Sequence, residues 1–149
     1  MPSFAKNKKA YHDYEILQEF EAGVQLLGTE VKSVRKSSIG LKGSFVTEKD
    51  GELFLTNVHI GAYKPAADKN HEPLRSRKLL LKTSEINKII GQISTKGTSC
   101  VPLEFYGKGK HVKVKIALVK GKKLYDKRQT KREKDTERDL RRQLKSFGR

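Results

Sequence analysis

Between Val101 and Leu118 the chain carries the pattern that most limits its fold. Val101, Leu103 and Phe105 alternate with Pro102, Glu104 and Tyr106. After Gly107-Lys108-Gly109-Lys110, the residues Val112, Val114, Ile116 and Leu118 alternate with Lys113, Lys115 and Ala117. A period of two puts every second side chain on the same side of an extended strand. The two runs therefore read as a hairpin with one apolar face and one lysine-bearing face. Such a hairpin is marginal alone and needs further strands or a helix to cover its apolar side.

The rest of the chain supplies them. From Tyr11 to Phe20, the even spacing of Tyr14, Ile16 and Phe20 predicts a strand with one buried face. Glu21-Ala22-Gly23 is expected to turn the chain, with Gly23 at positive φ, into a short strand Val24-Gln25-Leu26. Thr29 caps a short helix reaching Lys36, with Val31 and Val34 inward and Lys32, Arg35 and Lys36 outward. Ser44 to Glu48 and Leu53 to Asn57 flank Asp50-Gly51, a dipeptide suited to a tight hairpin turn. Val58 and Ile60 continue as strand, residues 64–73 form a surface loop, and Arg75, Arg77 and Lys78 lead into Leu79-Leu80-Leu81. Ser84 caps a helix whose Ile86, Ile89, Ile90 and Ile93 fall at helical spacing and cover the sheet. Together these elements predict a mainly β, α+β fold: a small antiparallel OB-like β-barrel with flanking helices. The body is expected over residues 1–119, and the sequence leaves open whether its first ten residues are ordered or flexible.

Charge decides what such a body would meet. The 149 residues hold 33 Lys and Arg against 17 Asp and Glu, a net +16, which calls for an acidic partner. A membrane would require an apolar span or a helix with a broad apolar face, and the sequence contains neither. No apolar run follows the N-terminal lysines, so no secretory signal is read and a cytoplasmic protein is expected. Cys100 is the single cysteine, and His12, His59, His71 and His111 show no ligand spacing with it. No metal or cofactor is expected. Neither a phosphate-cradling loop nor a nucleophile–base–acid set emerges, so the expectation is a binding protein and not an enzyme. Residues 120–149 hold 13 Lys and Arg against 5 Asp and Glu, half of the net charge on a fifth of the chain. That tail has too few apolar residues for a core, yet Leu140, Leu144 and Phe147 repeat at helical spacing. It is expected to be disordered alone and helical on a partner. Tyr125 among Lys122, Lys123, Lys127 and Arg128 combines phosphate neutralisation with a ring that stacks on a base.

Six blocks in order resemble the SmpB family, which binds transfer-messenger RNA in bacterial ribosome rescue. They are residues 19–23 (EFEAG), 28–33 (GTEVKS), 51–54 (GELF), 77–81 (RKLLL), 112–115 (VKVK) and 121–128 (GKKLYDKR). The resemblance implies an adaptor whose OB-like body grips the tRNA-like domain of that RNA and stands in for a missing anticodon arm. By position it puts RNA-binding residues at Glu21, Leu80 and Lys113, joined by the basic candidates Lys32, Arg35, Arg77 and Lys78. It assigns the ribosome-engaging segment to Gly121, Lys122, Lys123, Tyr125, Asp126, Lys127 and Arg128. The implied partners are transfer-messenger RNA, the small ribosomal subunit at its decoding centre and messenger channel, and elongation factor Tu through the RNA complex. Each residue also has a plainer reading. Glu21 could be a turn carboxylate, Leu80 a core residue of its leucine run, and Lys113 an ordinary surface lysine. Tyr125 stands where many family members have histidine, so stacking is kept and pH sensitivity is not assured. The competing reading is a general OB-type single-strand binder or ribosomal protein, with an RNA-modifying enzyme a distant third.

Overall fold

The computed structural model of the chain describes residues 2–121. In order these form β1 (Ser3–Lys6), α1 (Lys8–Asp13), β2 (Tyr14–Val24), α2 (Gly28–Arg35), β3 (Ile39–Gly40), β4 (Phe45–Lys49), β5 (Glu52–Thr56) and β6 (His59–Ile60). A 3-10 segment (Lys64–Lys69), β7 (Arg77–Leu80), α3 (Thr83–Ile93), β8 (Thr98–Lys108) and β9 (His111–Gly121) follow. Seven strands build one antiparallel sheet in the order β1-β8-β9-β2-β7-β5-β4, and β3 pairs separately with β6. The sheet bends until β4 lies against β8, but among the described residues no ladder joins the two. The expected α+β, OB-like architecture is present as an open sheet, not a closed barrel.

The hairpin that dominates the sequence forms as a two-residue turn, with Lys108 opposite His111 and Gly109 at φ 60°. The β4–β5 turn is equally short: Lys49 pairs with Glu52, and both Asp50 (φ 53°) and Gly51 (φ 77°) occupy the left-handed region that such a turn demands. Inside the sheet, Phe20 and Ala22 of β2, Leu53 and Leu55 of β5, Phe105 of β8 and Val114, Ile116 and Leu118 of β9 share one core with Ile89 of α3. Ile89 is fully buried, which stabilises α3 on the sheet by about 1.5–3 kcal/mol.

Several expected features differ, each for a physical reason. The register of β8 on β9 slips between Pro102 and Glu104, so Leu103 is an extra residue and the alternation reverses there. Phe105 joins the main core, whereas Val101 and Leu103 face the other side and pack with Ala10, Ala117 and Val119. That second cluster exists because the first residues are ordered. They form β1, paired with β8, and α1, and β2 accordingly starts at Tyr14. Asn7 holds this region. Its backbone N–H donates to Leu103 O (2.8 Å), its Nδ2 to Pro102 O (2.9 Å), and its Oδ1 accepts from Ala10 N–H (3.2 Å), capping α1. Glu21-Ala22-Gly23 makes no turn, because β2 runs through it to Val24. Neither Thr29 nor Ser84 is the helix cap. Glu30 and Glu85 reach back to the N–H groups of Leu27 (2.8 Å) and Lys82 (3.3 Å), while Thr29 Oγ1 bonds His71 Nδ1 (2.8 Å). Finally, β9 ends at Gly121, with Lys120 and Gly121 paired to Glu15 and Tyr14.

Candidate nucleic-acid interface

Strand register assembles the site. Tyr106 of β8 stands opposite Lys113 of β9, Lys113 opposite Gly23 of β2, and Gly23 opposite Leu80 of β7. Directly opposed residues point to the same side, so these four form a row across four strands on the outer face. Their neighbours Phe105, Val114, Ala22 and Leu79 point inward and are buried. Glu21, two residues before Gly23, shares the outer face. Glu21, Gly23, Lys78, Leu80 and Lys113 come together along an open groove of about 510 Å³, with Glu52 and Lys82 also on its walls.

Each member has a local cause. Gly23 is needed for close approach: a Cβ there would sit 3.2 Å from Leu80 Cβ, which lets Leu80 lean over β2. Leu80 is 48% exposed while Leu79 is 1% exposed, so the leucine run divides between core and surface by strand alternation. An apolar side chain is thereby left at the groove floor for a base or sugar. Glu21 is oriented from β8, with Tyr106 Oη donating to its Oε2 (2.5 Å) and Lys108 Nζ to its Oε1 (3.0 Å). These bonds, that from Tyr106 foremost, hold the Glu21 carboxyl below its usual range. Burial, then the bond to Glu21, raises the Tyr106 phenol, so it keeps its proton and donates it. The result is a fixed carboxylate whose remaining lone pairs can accept amino or imino N–H groups of a base. Lys78 pairs with Glu52 (2.8 Å), whereas Lys113, half-buried, makes no ion pair among the described residues. Its charge is available to a phosphate.

Other sequence candidates lie elsewhere. Arg77 does not present its guanidinium on the surface, which corrects the expectation for it. β7 alternation turns it inward, fully buried, where Nε donates to Glu30 Oε2 (2.5 Å), Nη1 to Val58 O (2.7 Å) and Nη2 to Pro73 O (3.1 Å). Lys32 and Arg35 are exposed on α2 outside the groove, and Arg35 Nη2 donates to Lys110 O (2.9 Å). Gly121 closes β9, and Lys122, Lys123, Tyr125, Asp126, Lys127 and Arg128 lie outside the described residues. Sequence reasoning passed over Tyr106 and Lys108, which orient Glu21 from β8. Tyr106 was legible as outward in the strand pattern, but its link to Glu21 joins residues 85 positions apart. Among the described residues, no helix is long and apolar enough to cross a membrane, and no His, Cys, Asp or Glu cluster could hold a metal ion.

The open sheet and its groove, where Glu21, Glu52 and Glu85 face Lys78, Lys82 and Lys113 around the exposed Leu80, define an OB-like α+β protein with a candidate binding face. Comparison with known proteins narrows this. A family model described as SmpB protein matches residues 4–146, and the chain belongs to that family. An SsrA-binding protein of Wolbachia pipientis subsp. Culex pipiens is 54% identical over 140 residues, covering 93% of this chain and 94% of its own length. That of Shouchella clausii is 53% identical over 141 residues, covering 95% of this chain and 90% of its own. A chain of the solved structure described as "tmRNA-SmpB: a journey to the center of the bacterial ribosome" superposes with a TM-score of 0.70 at 42% identity, covering 83% of this chain and 87% of that one.

Proposed function

We propose that this protein is the RNA-binding adaptor of trans-translation: it binds transfer-messenger RNA and delivers it to stalled ribosomes for rescue and peptide tagging. It acts in the cytoplasm, where ribosomes stall. The observation that carries the reading is the convergence of Glu21, Leu80 and Lys113, remote in sequence, on one exposed groove in a chain related along most of its length to SsrA-binding proteins. In this reading the groove meets the tRNA-like domain. Lys113 neutralises a phosphate, Leu80 packs on a sugar or base, and Glu21, set by Tyr106 and Lys108, accepts from a base edge. Lys78, on the groove wall, and Lys32 and Arg35, on α2, supply further positive charge to the RNA. The basic segment 120–149 is the ribosome-engaging part, its Gly121–Arg128 stretch entering the decoding centre and its remainder forming a helix in the vacant messenger channel.

A salt series on a transcript of the tRNA-like domain tests the groove. Lys113→Gln lowers the slope of log affinity against log salt by about 1, the signature of one lost phosphate contact. Leu80→Ala and Glu21→Gln weaken binding without changing that slope. Parental affinity in all three variants would exclude the groove as the RNA site.

A further inference from the structure

Tyr63, which precedes the 3-10 segment, meets α2 at a feature separate from the groove. Lys32 Nζ and Lys36 Nζ both lie over the Tyr63 ring, each 5.1 Å from its centroid. The two lysines stand at i, i+4, the spacing at which like charges on a helix repel. Among the described residues neither makes an ion pair, nor does Lys64 or Lys69 in the adjacent segment. Two ammonium groups without an ion-pair partner among the described residues thus lie over one aromatic ring.

The ring's support is tightly shaped. Tyr63 N–H donates to Asn70 Oδ1 (2.8 Å), and Asn70 Nδ2 donates to the carbonyls of Tyr63 (2.9 Å) and Ala67 (3.0 Å). Ala67 is held at φ 48°, ψ −115°, a costly conformation for a residue with a side chain. The loop therefore accepts strain while fixing Tyr63 beside the two lysines. On the other side, Arg35 ties α2 to the tip of the β8–β9 hairpin that carries Lys108 and Lys113.

We propose that Tyr63, Lys32 and Lys36 form a second RNA contact, in which an unpaired base stacks on the tyrosine ring and flanking phosphates take the two ammonium groups. An acidic peptide would engage the lysines but leave the ring unused. A base with its phosphates uses both. Stacking of a base on tyrosine outweighs an exposed ammonium–ring contact, so the base displaces an ammonium and that ammonium turns to a phosphate. The inference rests on the RNA-adaptor reading above. The tRNA-like RNA and ribosomal RNA offer the same chemistry, and the two are separated by experiment.

The full-length chain and its Tyr63→Leu, Tyr63→Phe and Lys32→Gln/Lys36→Gln variants are titrated over a salt series in two arms. One arm uses a transcript of the tRNA-like domain, the other isolated small ribosomal subunits. In the arm holding the true partner, Tyr63→Leu weakens binding about 10-fold and Tyr63→Phe keeps parental affinity. The double lysine variant lowers the salt slope by about 2 in the same arm. Because both lysines are exposed, that variant carries the test even if Tyr63→Leu misfolds. Parental slopes for the lysine pair in both arms overturn the proposal, as does a Tyr63→Phe loss equal to that of Tyr63→Leu. If these variants behave as the parent while Lys113→Gln still weakens RNA binding, the second contact fails and the groove stands. If the parent binds neither RNA, both readings fall.

Discussion

Glu30→Ala lowers stability by about 3–5 kcal/mol, seen as a fall of roughly 10–20 °C in Tm by thermal denaturation. Glu30 and Arg77 are both fully buried, and the carboxylate also accepts from Arg75 Nη2 (2.6 Å) and from the N–H of Leu27 (2.8 Å). Removing Glu30 leaves the Arg77 charge in the interior with only backbone carbonyls for company, and deprives α2 of its N-terminal acceptor. Exposed Glu15 provides the control, since its replacement by alanine stays within about 0.5 kcal/mol. Replacing both partners, Glu30→Leu with Arg77→Met, recovers most of the loss, because the penalty comes from an orphaned charge and not from the absence of a pair.

The same cluster sets a pH dependence. Burial pushes the Glu30 carboxyl up, but the bonds from Arg75, Leu27 and Arg77 outweigh it and leave the group below its ordinary value. A carboxyl with a depressed folded-state value stabilises the fold fully above its unfolded value, about 4.5, and loses that contribution as pH falls through the folded value. The Tm gap between the parent and Glu30→Ala is therefore constant near neutral pH and narrows in acid. A gap that widened with acid, or a neutral-pH loss below about 1 kcal/mol, would contradict this account.

Cutting the chain after Gly121 abolishes tagging of stalled nascent chains while the remaining body still binds the tRNA-like RNA. The position of the cut follows from the structure. Composition alone puts the boundary after Val119, but Lys120 pairs with Glu15 and Thr98, and Gly121 pairs with Tyr14. Ending the chain at Val119 would remove two residues of a central ladder and mix a folding defect into the functional one. With the cut after Gly121, loss of the basic segment removes its nonspecific attraction and makes RNA binding less salt-dependent. The groove still confers preference for the tRNA-like fold over plain single strands. A truncated body that bound no structured RNA, or that still supported tagging, would sink the division of labour between groove and tail. Binding is measured by filter retention or mobility shift, and tagging in a reconstituted translation mixture stalled on a message lacking a stop codon.

Much of this was legible in the sequence, and what was not has a common physical origin. Period-two alternation in residues 112–118, Asp50-Gly51 and the isoleucine spacing of α3 depend on contacts within a few residues. They predicted β9, the β4–β5 turn and the covering helix. The net +16 and the six ordered blocks pointed to an RNA partner and to Glu21, Leu80 and Lys113. What local pattern could not carry were relations across the fold. Arg77 looks like any basic residue beside Lys78 until β7 turns it toward Glu30, 47 positions away. No local pattern settles the order of the first residues, which Asn7 ties down by bonding Pro102, 95 positions away. The bulge at Leu103 divides one apolar run between two cores, because a single added residue reverses every later side chain. By itself the sequence determined the β4–β5 and β8–β9 hairpins, their tight turns and the sign of the charge, since these rest on residue period, backbone preference and counting. Only the tertiary structure decided which cations stay outside and which are buried, that the sheet remains open, and that Lys113, Gly23 and Leu80 stand side by side. Strand register brings remote residues together, and register is a property of the assembled sheet.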